Sequence, residues 1–466
     1  MSAAKTTSGG KVVAKDMRSY IEQLEKAGEL SRVKDEVNVE ADIGRRLFAS
    51  RESALLFQNV KGYPGWSVLG QAPANMRHIA IAFGTEPNRV VREFANRIDK
   101  GLVPCKMLPR GPIKDRVLLG DDARLHALPS HVIAEKDPGR YIAGGLCIVK
   151  DPETGLRNMA FHRLQVREDG RMGIFMVEGR HTWHIYRKYE IMNKPMPMAV
   201  MIGHHPMYYF AAAYTGSLGL DELEVAGALL GEPVELNACE TIDVEVPAHA
   251  EIVIECEVMP NLREQEGPFS EFTGYYGGHH DKPVVVPKAI TMRKDAIYKA
   301  VQSAALTESI FYNGLPMAVA LFRDLRNVAG YVDLKDVSCN WGSTFNVVVQ
   351  MTPRFYGEAR QVLLAAVSSL YSHQKIAVAV DEDVDIYDPQ DVAWAIATRV
   401  NPEIDVTVIP GVRGHILDNS LPELTREGIT TPHRLGSRMI IDATKPPTCD
   451  REARMRFDRV RPPAAI

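Results

Sequence analysis

Residues 264–281 read Glu-Gln-Glu-Gly-Pro-Phe-Ser-Glu-Phe-Thr-Gly-Tyr-Tyr-Gly-Gly-His-His-Asp. Glu266 and Glu271 stand five residues apart with Gly267-Pro268 between them, and a Gly-Pro step turns the chain instead of continuing a helix or a β-ladder. The spacing predicts two carboxylates that can face one space. A carboxyl that is desolvated, or close to a like charge, has a raised pKa and can hold a proton near neutral pH, as a general acid must. The same spacing also fits two solvated glutamates on a polar loop, the commoner fate of charged residues.

Around this stretch lies a chain of 466 residues, which at roughly 150 residues per domain predicts about three domains. A hydrophobic content of 45% and a charged content of 24% suit soluble globular domains that bury a core. The formal net charge is -4 with no long block of one sign, so nothing supports a nucleic-acid surface, and a small-molecule partner is expected. Apolar runs such as 196–203 and 376–380 fall short of the ~20 residues a membrane helix needs. Residues 1–15 are rich in Ser, Thr, Lys and Gly and lack an apolar run, which predicts a disordered N-terminus without a secretory signal and a cytoplasmic protein. Six cysteines, Cys105, Cys147, Cys239, Cys256, Cys339 and Cys449, form no C-x-x-C and are expected as buried thiols in a reducing compartment.

Local patterns divide the chain as follows. Asp16 is placed to cap a helix with Met17, Tyr20, Ile21 and Leu24 on one face and Gly28 at its end. Residues 55–60 and 66–70 read as strands, and Thr85 as the cap of a helix with Pro87 in its first turn and Val90, Val91, Phe94 and Ile98 inward. This makes an N-terminal α/β domain over 16–115, whose last ten residues, with Pro109 and Pro112, read as a linker. Strands at 141–149, 157–166 and 172–177, joined by turns, predict an antiparallel meander; helices at 181–193 and 221–230 and strands at 234–258 and 284–292 complete a β-barrel-like central domain over 116–305. From 306 to 466 a helix at 356–370, a buried strand at 376–380, an acidic loop at 381–385 and a helix at 388–400 predict a C-terminal α/β domain with an oligomerisation tail. The acidic loop is read as solvated, with a cation site as the alternative.

The motifs Asn158-Met-Ala-Phe-His-Arg163, Gly179-Arg-His181, Glu222-Leu-Glu-Val-Ala-Gly-Ala-Leu-Leu-Gly231, Glu266-Gly-Pro-Phe-Ser-Glu271 with Thr273-Gly-Tyr-Tyr276, Val384-Asp-Ile-Tyr387 and Trp394-Ala-Ile-Ala-Thr-Arg399 occur in this order. Together they make the chain, from about Asp16 to Lys445, resemble the UbiD family of prenylated-FMN-dependent decarboxylases. The resemblance implies that the central domain is a split β-barrel-like flavin-binding domain and that the C-terminal α/β domain closes over it. It implies that Asn158, His181 and Glu222 hold Mn2+ (or Mg2+) beside the cofactor phosphate, a hard mixed donor set suited to such a metal, and it allows a K+ ion as well. Arg163 matches the arginine set between two acidic residues, here Glu266 and Glu271, where it can grip a substrate carboxylate and keep one glutamate charged.

Phe161, His162, Arg163, Arg180 and the 212–214 stretch match positions that line the flavin. Four positions depart from relatives: Arg180 stands where ferulate-type members carry Gln, Glu271 is Asp in the ubiquinone branch, a phosphate-holding lysine has no counterpart near Ser369, and His415 replaces a Phe that packs on substrate. His415, Leu417 and Asn313 are the expected substrate pocket. The activity implied is reversible, non-oxidative decarboxylation of an aromatic, heteroaromatic or α,β-unsaturated acid, a carboxy-lyase of the EC 4.1.1 class with Glu271 as proton donor. A UbiX-like flavin prenyltransferase would supply the cofactor, and a homodimer is expected, with a homohexamer as the alternative. Two rivals are a split-barrel flavoprotein using ordinary FMN for redox chemistry, which has no need of the Glu266, Arg163 and Glu271 set, and a non-catalytic accessory subunit, which has no need of an intact metal triad.

Overall fold

Asp16 caps the first helix, α1 (Met17–Lys26), through a reciprocal pair: its carboxylate accepts the Ser19 N–H at 2.9 Å and its own N–H donates to the Ser19 hydroxyl at 3.1 Å. Met17, Tyr20, Ile21 and Leu24 are buried, as their spacing predicts. The computed structural model describes residues 15–460 except 329–332, 372, 422–423, 427–428 and 432–434. Of the disorder expected at 1–15, residues 1–14 lie outside the described residues, as does the extreme C-terminal tail, while Lys15 is placed, its ammonium donating to the Leu230 carbonyl.

β1 (Leu30–Val33), β2 (Ala54–Phe57) and β3 (Ser67–Gly70) follow, with α2 (Asp42–Ala49), α3 (Met76–Phe83) and α4 (Val90–Asp99). The expected Thr85 cap is corrected. Its N–H closes the end of α3 on the Ala80 carbonyl at 3.0 Å, and α4 starts only after a 3-10 turn through Pro87. The predicted linker is not free chain either, since the Lys106 and Leu108 N–H groups bond to the Val234 and Leu236 carbonyls at 2.8 and 2.7 Å.

The central sheet is built from β4 (Tyr141–Ile142), β5 (Gly145–Lys150), β6 (Arg157–Phe161), β7 (Leu164–Val166), β8 (Met172–Ile174), β9 (Met196–Ile202), β10 (Ile252–Glu266) and β13 (His280–Met292). Between the last two lies a small hairpin, β11 (Phe269–Ser270) and β12 (Tyr276–Gly277). The strand order is β4-β7-β8-β13-β10-β9-β5-β6, with a ninth strand, Arg116–Leu119, paired antiparallel to the end of β13 off this path. Residues 157–166 are therefore not one strand of a simple meander. The chain leaves one edge of the sheet after Phe161 and rejoins near the other edge at Leu164, so the edges face each other without a described ladder between them: a barrel with a split. His162 and Arg163 are the crossing, and both side chains turn into the interior, 8% and 9% exposed.

Three helices cover this sheet: α5 (His181–Ile191), α6 (Pro206–Ala213) and α7 (Glu222–Leu230). α6 and α7 share one apolar core with α4 and the strands beneath them. β14 (Ile297–Lys299) then returns to run parallel to β3, so the N-terminal sheet is completed by a late segment and is not contiguous in sequence. α8 (Glu308–Val328) leads to the C-terminal sheet, β15 (Asp333–Ser338), β16 (Asn346–Thr352), β17 (Ile376–Val380), β18 (Val406–Arg413) and β19 (Leu435–Ala443), in the order β15-β16-β17-β19-β18, with α9 (Glu358–Val367) and α10 (Pro389–Arg399) packed on it.

The acidic loop is solvated in part: Glu382 and Asp385 are exposed, whereas Asp381 and Asp383 are tied to neighbouring cations and the backbone. Asp381 binds the Lys445 N–H and the Arg454 guanidinium, and Asp383 pairs with Arg399 at 2.9 Å and Lys445 at 2.8 Å. All six cysteines are free; Cys147, Cys256 and Cys339 are buried, whereas Cys449, in the open segment before Asp450, is exposed. Among the described residues no helix is long and apolar enough to cross a membrane.

Candidate active site

Glu266 is the last residue of β10, paired with His280 across the ladder, so the pair of glutamates is held by a strand on one side and a turn on the other. Gly267 makes the turn with φ +91°, and a Cβ there would stand 2.6 Å from the Gly278 carbonyl oxygen; only glycine meets both demands. Neither glutamate is solvated. Glu266 is fully buried and Glu271 is 9% exposed.

Arg163 joins them. Its Nε and Nη2 donate to the two oxygens of Glu266 at 2.9 and 2.6 Å, and its Nη1 donates to Glu271. The guanidinium lies 4.2 Å from the Phe175 ring centre and 4.7 Å from that of Phe269, a dry setting that strengthens each charge-assisted bond. Burial pushes the Glu271 carboxyl up; the Arg163 charge works against this and the Glu266 charge adds to it, with a net rise. Burial weakens the Arg163 charge, but the glutamates outweigh that and raise its pKa. Glu266 thus takes the two-pronged pairing, while Glu271 is the carboxyl biased toward holding a proton.

These groups open onto a cavity of about 460 Å³, a size suited to a bound small molecule. Asn158, Phe161, His162, Arg163, Arg180 and His181 line it, joined by Glu222, Glu271 and residues 212–214. Asn313, His415 and Leu417 reach it from the C-terminal third. Glu266 alone of the predicted set is absent from the wall, standing behind Arg163.

His181 and Glu222 are the first residues of α5 and α7, and free N–H groups at helix starts favour an anion such as phosphate. Asp221 caps α7 on the Leu223 N–H at 2.9 Å and is held by Arg157 at 2.6 Å. Glu222 accepts the Met159 N–H at 2.7 Å and the Asn158 amide at 3.0 Å. Among the described residues it has no cationic partner, and burial pushes its carboxyl up to about 8.

The bonds around Asn158 suit a cation here. His162 is buried, which lowers its pKa to about 4 and leaves it neutral. Its Nδ1–H goes to the Phe175 carbonyl at 3.1 Å, so its Nε2 accepts the Thr182 hydroxyl at 3.0 Å. The Thr182 oxygen also touches the Asn158 amide at 2.8 Å. With the hydroxyl proton spent on His162, a half-turn of that amide gives its NH2 to Thr182 and sets its oxygen toward Glu222. Once Glu222 gives up its proton, as it must to bind a metal, two bare oxygens about 3 Å apart, with an imidazole on the same cavity, form a hard N/O donor set that fits Mn2+ or Mg2+.

His415 sits with its ring centre 4.2 Å from that of His373, 5.5 Å from Phe345 and 6.0 Å from Phe272. Burial, then the Arg180 charge, lowers its pKa to about 4. Its Nδ1 accepts the Leu417 N–H at 3.1 Å, which leaves Nε2–H as a donor. The sequence reading missed Thr182, Phe175 and His373. Thr182 is adjacent to His181, the one signal that could have found it.

Three family models match consecutive parts of the chain: the N-terminal domain of 3-octaprenyl-4-hydroxybenzoate carboxy-lyase at 21–98, its Rift-related domain at 106–305 and its C-terminal domain at 311–443. The phenolic acid decarboxylase of Sedimentibacter hydroxybenzoicus is 32% identical over 454 residues, covering 93% of this chain and 92% of that protein. The UbiD-class enzyme HmfF from Pelotomaculum thermopropionicum in complex with FMN superposes with a TM-score of 0.87 at 34% identity, over 96% of this chain and 97% of its own. An evolved dimeric form of that enzyme in complex with prFMN gives 0.83 at 32% identity, over 97% of each chain.

Proposed function

The chain belongs to the UbiD family, and from that premise we propose that it reversibly decarboxylates an aromatic, heteroaromatic or α,β-unsaturated acid, without oxidation, using prenylated FMN. The observation that carries this reading is the dry Glu266–Arg163–Glu271 row, whose Arg163 and Glu271 face the cavity with Glu266 behind them. Such a row binds a carboxylate and delivers a proton. Hydride transfer would need neither glutamate.

When bound, the prenylated flavin supplies the electron sink for the charge left as CO2 departs. Asn158, His181 and Glu222 would hold Mn2+ or Mg2+ against its phosphate. Arg163 grips the substrate carboxylate, the apolar walls exclude water, and Glu271 gives its proton to the carbon that carried the carboxylate. A UbiX-like flavin prenyltransferase supplies the cofactor, and the chain works as a homodimer or, alternatively, a homohexamer.

His415 and Asn313 give the substrate end of the cavity a polar lining. A heteroaromatic, hydroxylated or second-carboxylate-bearing acid satisfies the His415 Nε2–H, whereas a plain phenyl ring strands it at a cost of about 1–3 kcal/mol. Protein co-expressed with a flavin prenyltransferase should release CO2 from such acids, and His415→Phe should shift the ranking toward cinnamate. Oxidation of NAD(P)H without CO2 release from any acid would overturn the reading.

A further inference from the structure

The hairpin that carries Glu271 is too small to hold itself. It pairs only Phe269 with Gly277 and Ser270 with Tyr276, and isolated hairpins are marginal even when longer. Its own bonds add little, the Glu271 N–H to the Tyr275 carbonyl at 2.9 Å and the Gly274 N–H to the Glu271 carbonyl at 3.0 Å. Yet a proton donor must stay within a fraction of an ångström of its working position. Something outside the hairpin has to fix it.

We infer that Asp137 is the positioning residue for Glu271, acting through Ser270. Asp137 is 8% exposed and does not line the cavity. Its Oδ1 accepts the Ser270 N–H at 2.9 Å and its Oδ2 the Ser270 hydroxyl at 3.1 Å, a two-pronged hold on the residue preceding Glu271. The same Oδ2 takes the Ala134 N–H at 3.1 Å, which fixes the carboxylate on its own loop. The loop grips the hairpin again one residue earlier, where the Lys136 N–H meets the Tyr276 hydroxyl at 3.3 Å. On the far side the Ser303 hydroxyl donates to the Ser270 carbonyl at 2.6 Å, and the Ser309 hydroxyl to the Ser303 carbonyl at 2.6 Å. Ser270 is thereby held at its N–H, its hydroxyl and its carbonyl, and Glu271 inherits that fix.

Asn at position 137 keeps the shape and one acceptor but turns an N–H toward a donor. The inference rests on the proposed acid role of Glu271, so the test is a kinetic cycle on cofactor-loaded protein with wild type, Asp137→Asn, Glu271→Asp and the double variant, alongside amide hydrogen exchange. Asp137→Asn should lower kcat about ten- to a hundredfold, leave KM within about twofold, retain wild-type flavin and metal, and speed exchange at 269–277 but not in β10 and β13. In the Glu271→Asp background its further effect should fall below about threefold, because the donor is already displaced. Ser270→Ala, losing one bond of the two, should fall between wild type and Asp137→Asn. Wild-type kcat in Asp137→Asn, a rise in KM alone, or an equal loss in both backgrounds would overturn the positioning role and leave the decarboxylase reading intact. Failure of the wild type to release CO2 from any acid would sink that reading and this inference with it.

Discussion

Glu266 and Glu271 are chemically alike and differ in what surrounds them. Glu266 is fully buried behind Arg163 and takes two of its N–H groups; Glu271 takes one, lies on the cavity, and has its carboxyl pushed up by burial. Glu271→Gln should therefore retain metal and cofactor yet lose turnover by about 10²–10⁴-fold, the usual weight of a general acid. Wild-type enzyme in deuterated water should exchange the hydrogen on the product carbon that carried the carboxylate. Near-normal exchange in Glu271→Gln, with Glu266→Gln dead, reverses the roles. Because the acid must be protonated to act, the rate should fall as pH rises through the Glu271 pKa. On the proposed reading, in which both would act through one phosphate-bound ion, His181→Ala and Glu222→Ala should each lower metal and flavin content together; full flavin occupancy in either would exclude that role. Of these residues, the glutamate pair stands out by spacing around Gly-Pro. Asn158, His181 and Glu222 do not, being scattered singly through the chain, and only the family pattern picks them out. His373 carries no such mark and Thr182 only its place beside His181, because what they do depends on neighbours far away in sequence.

Among the elements, α1 was legible through its Asp16 cap; α7 and α10, read as helices at 221–230 and 388–400, prove to be capped by Asp221 and by Asp388, whose carboxylate accepts the Gln390 N–H at 2.9 Å. The break between β6 and β7 was not, since Phe161 and Leu164 continue a strand-like pattern and the crossing is imposed by Arg163 reaching the glutamates. α8 shows the same limit. Its first residue, Glu308, is fully buried against the Lys299 ammonium of β14 and also accepts the Gln71 and Ala72 N–H groups at 3.2 and 3.1 Å. That contact ties the start of α8, which carries Asn313 to the cavity, to both β14 and the segment after β3. Burial drives both groups toward neutrality, Glu308 upward and Lys299 downward, so the pair locates the helix more than it strengthens the fold. Lys299→Met strands Glu308 and should cost about 3–5 kcal/mol. Lys299→Met/Glu308→Gln removes the stranded charge and keeps an acceptor for one of the two N–H groups, and should recover part of that. Equal urea midpoints for Lys299→Met and wild type would refute the argument.

At the scale of the whole molecule, the three largest sheets do not follow the sequential reading strictly, because their seams are interlocked in ways no local pattern encodes: β14 completes the N-terminal sheet, and the 106–108 segment pairs with the central unit. One seam carries a titratable group. His205, 3% exposed, precedes α6 and packs edge-on against Tyr20 of α1, with ring centres 5.6 Å apart. Burial, then the Lys15 charge, depresses its pKa to about 3, against about 6.5 in an unfolded chain. Above pH 6.5 both states are neutral and the group contributes nothing to pH dependence. As pH falls below that, the unfolded chain takes up a proton that the folded chain refuses, and stability drops by up to about 1.4 kcal/mol per pH unit until the folded pKa is reached. His131 and His162, each lowered to about 4, act in the same direction. Asp137 and Asp336, each raised to about 6, act oppositely, because there the folded state binds the proton first. These opposing titrations overlap in the same pH range, so the acid profile of the wild type alone decides little and a single-site difference is needed. His205→Asn keeps an acceptor for the Met207 N–H, which His205 Nδ1 now takes at 3.4 Å, and removes the titration. The stability of wild type minus that of His205→Asn, from chemical denaturation, should be flat above pH 7 and fall by about 1–2 kcal/mol between pH 6 and pH 4.5. A difference that stays constant over that range would mean that His205 is open to water, and that the seam between α1 and α6 is looser than its packing implies.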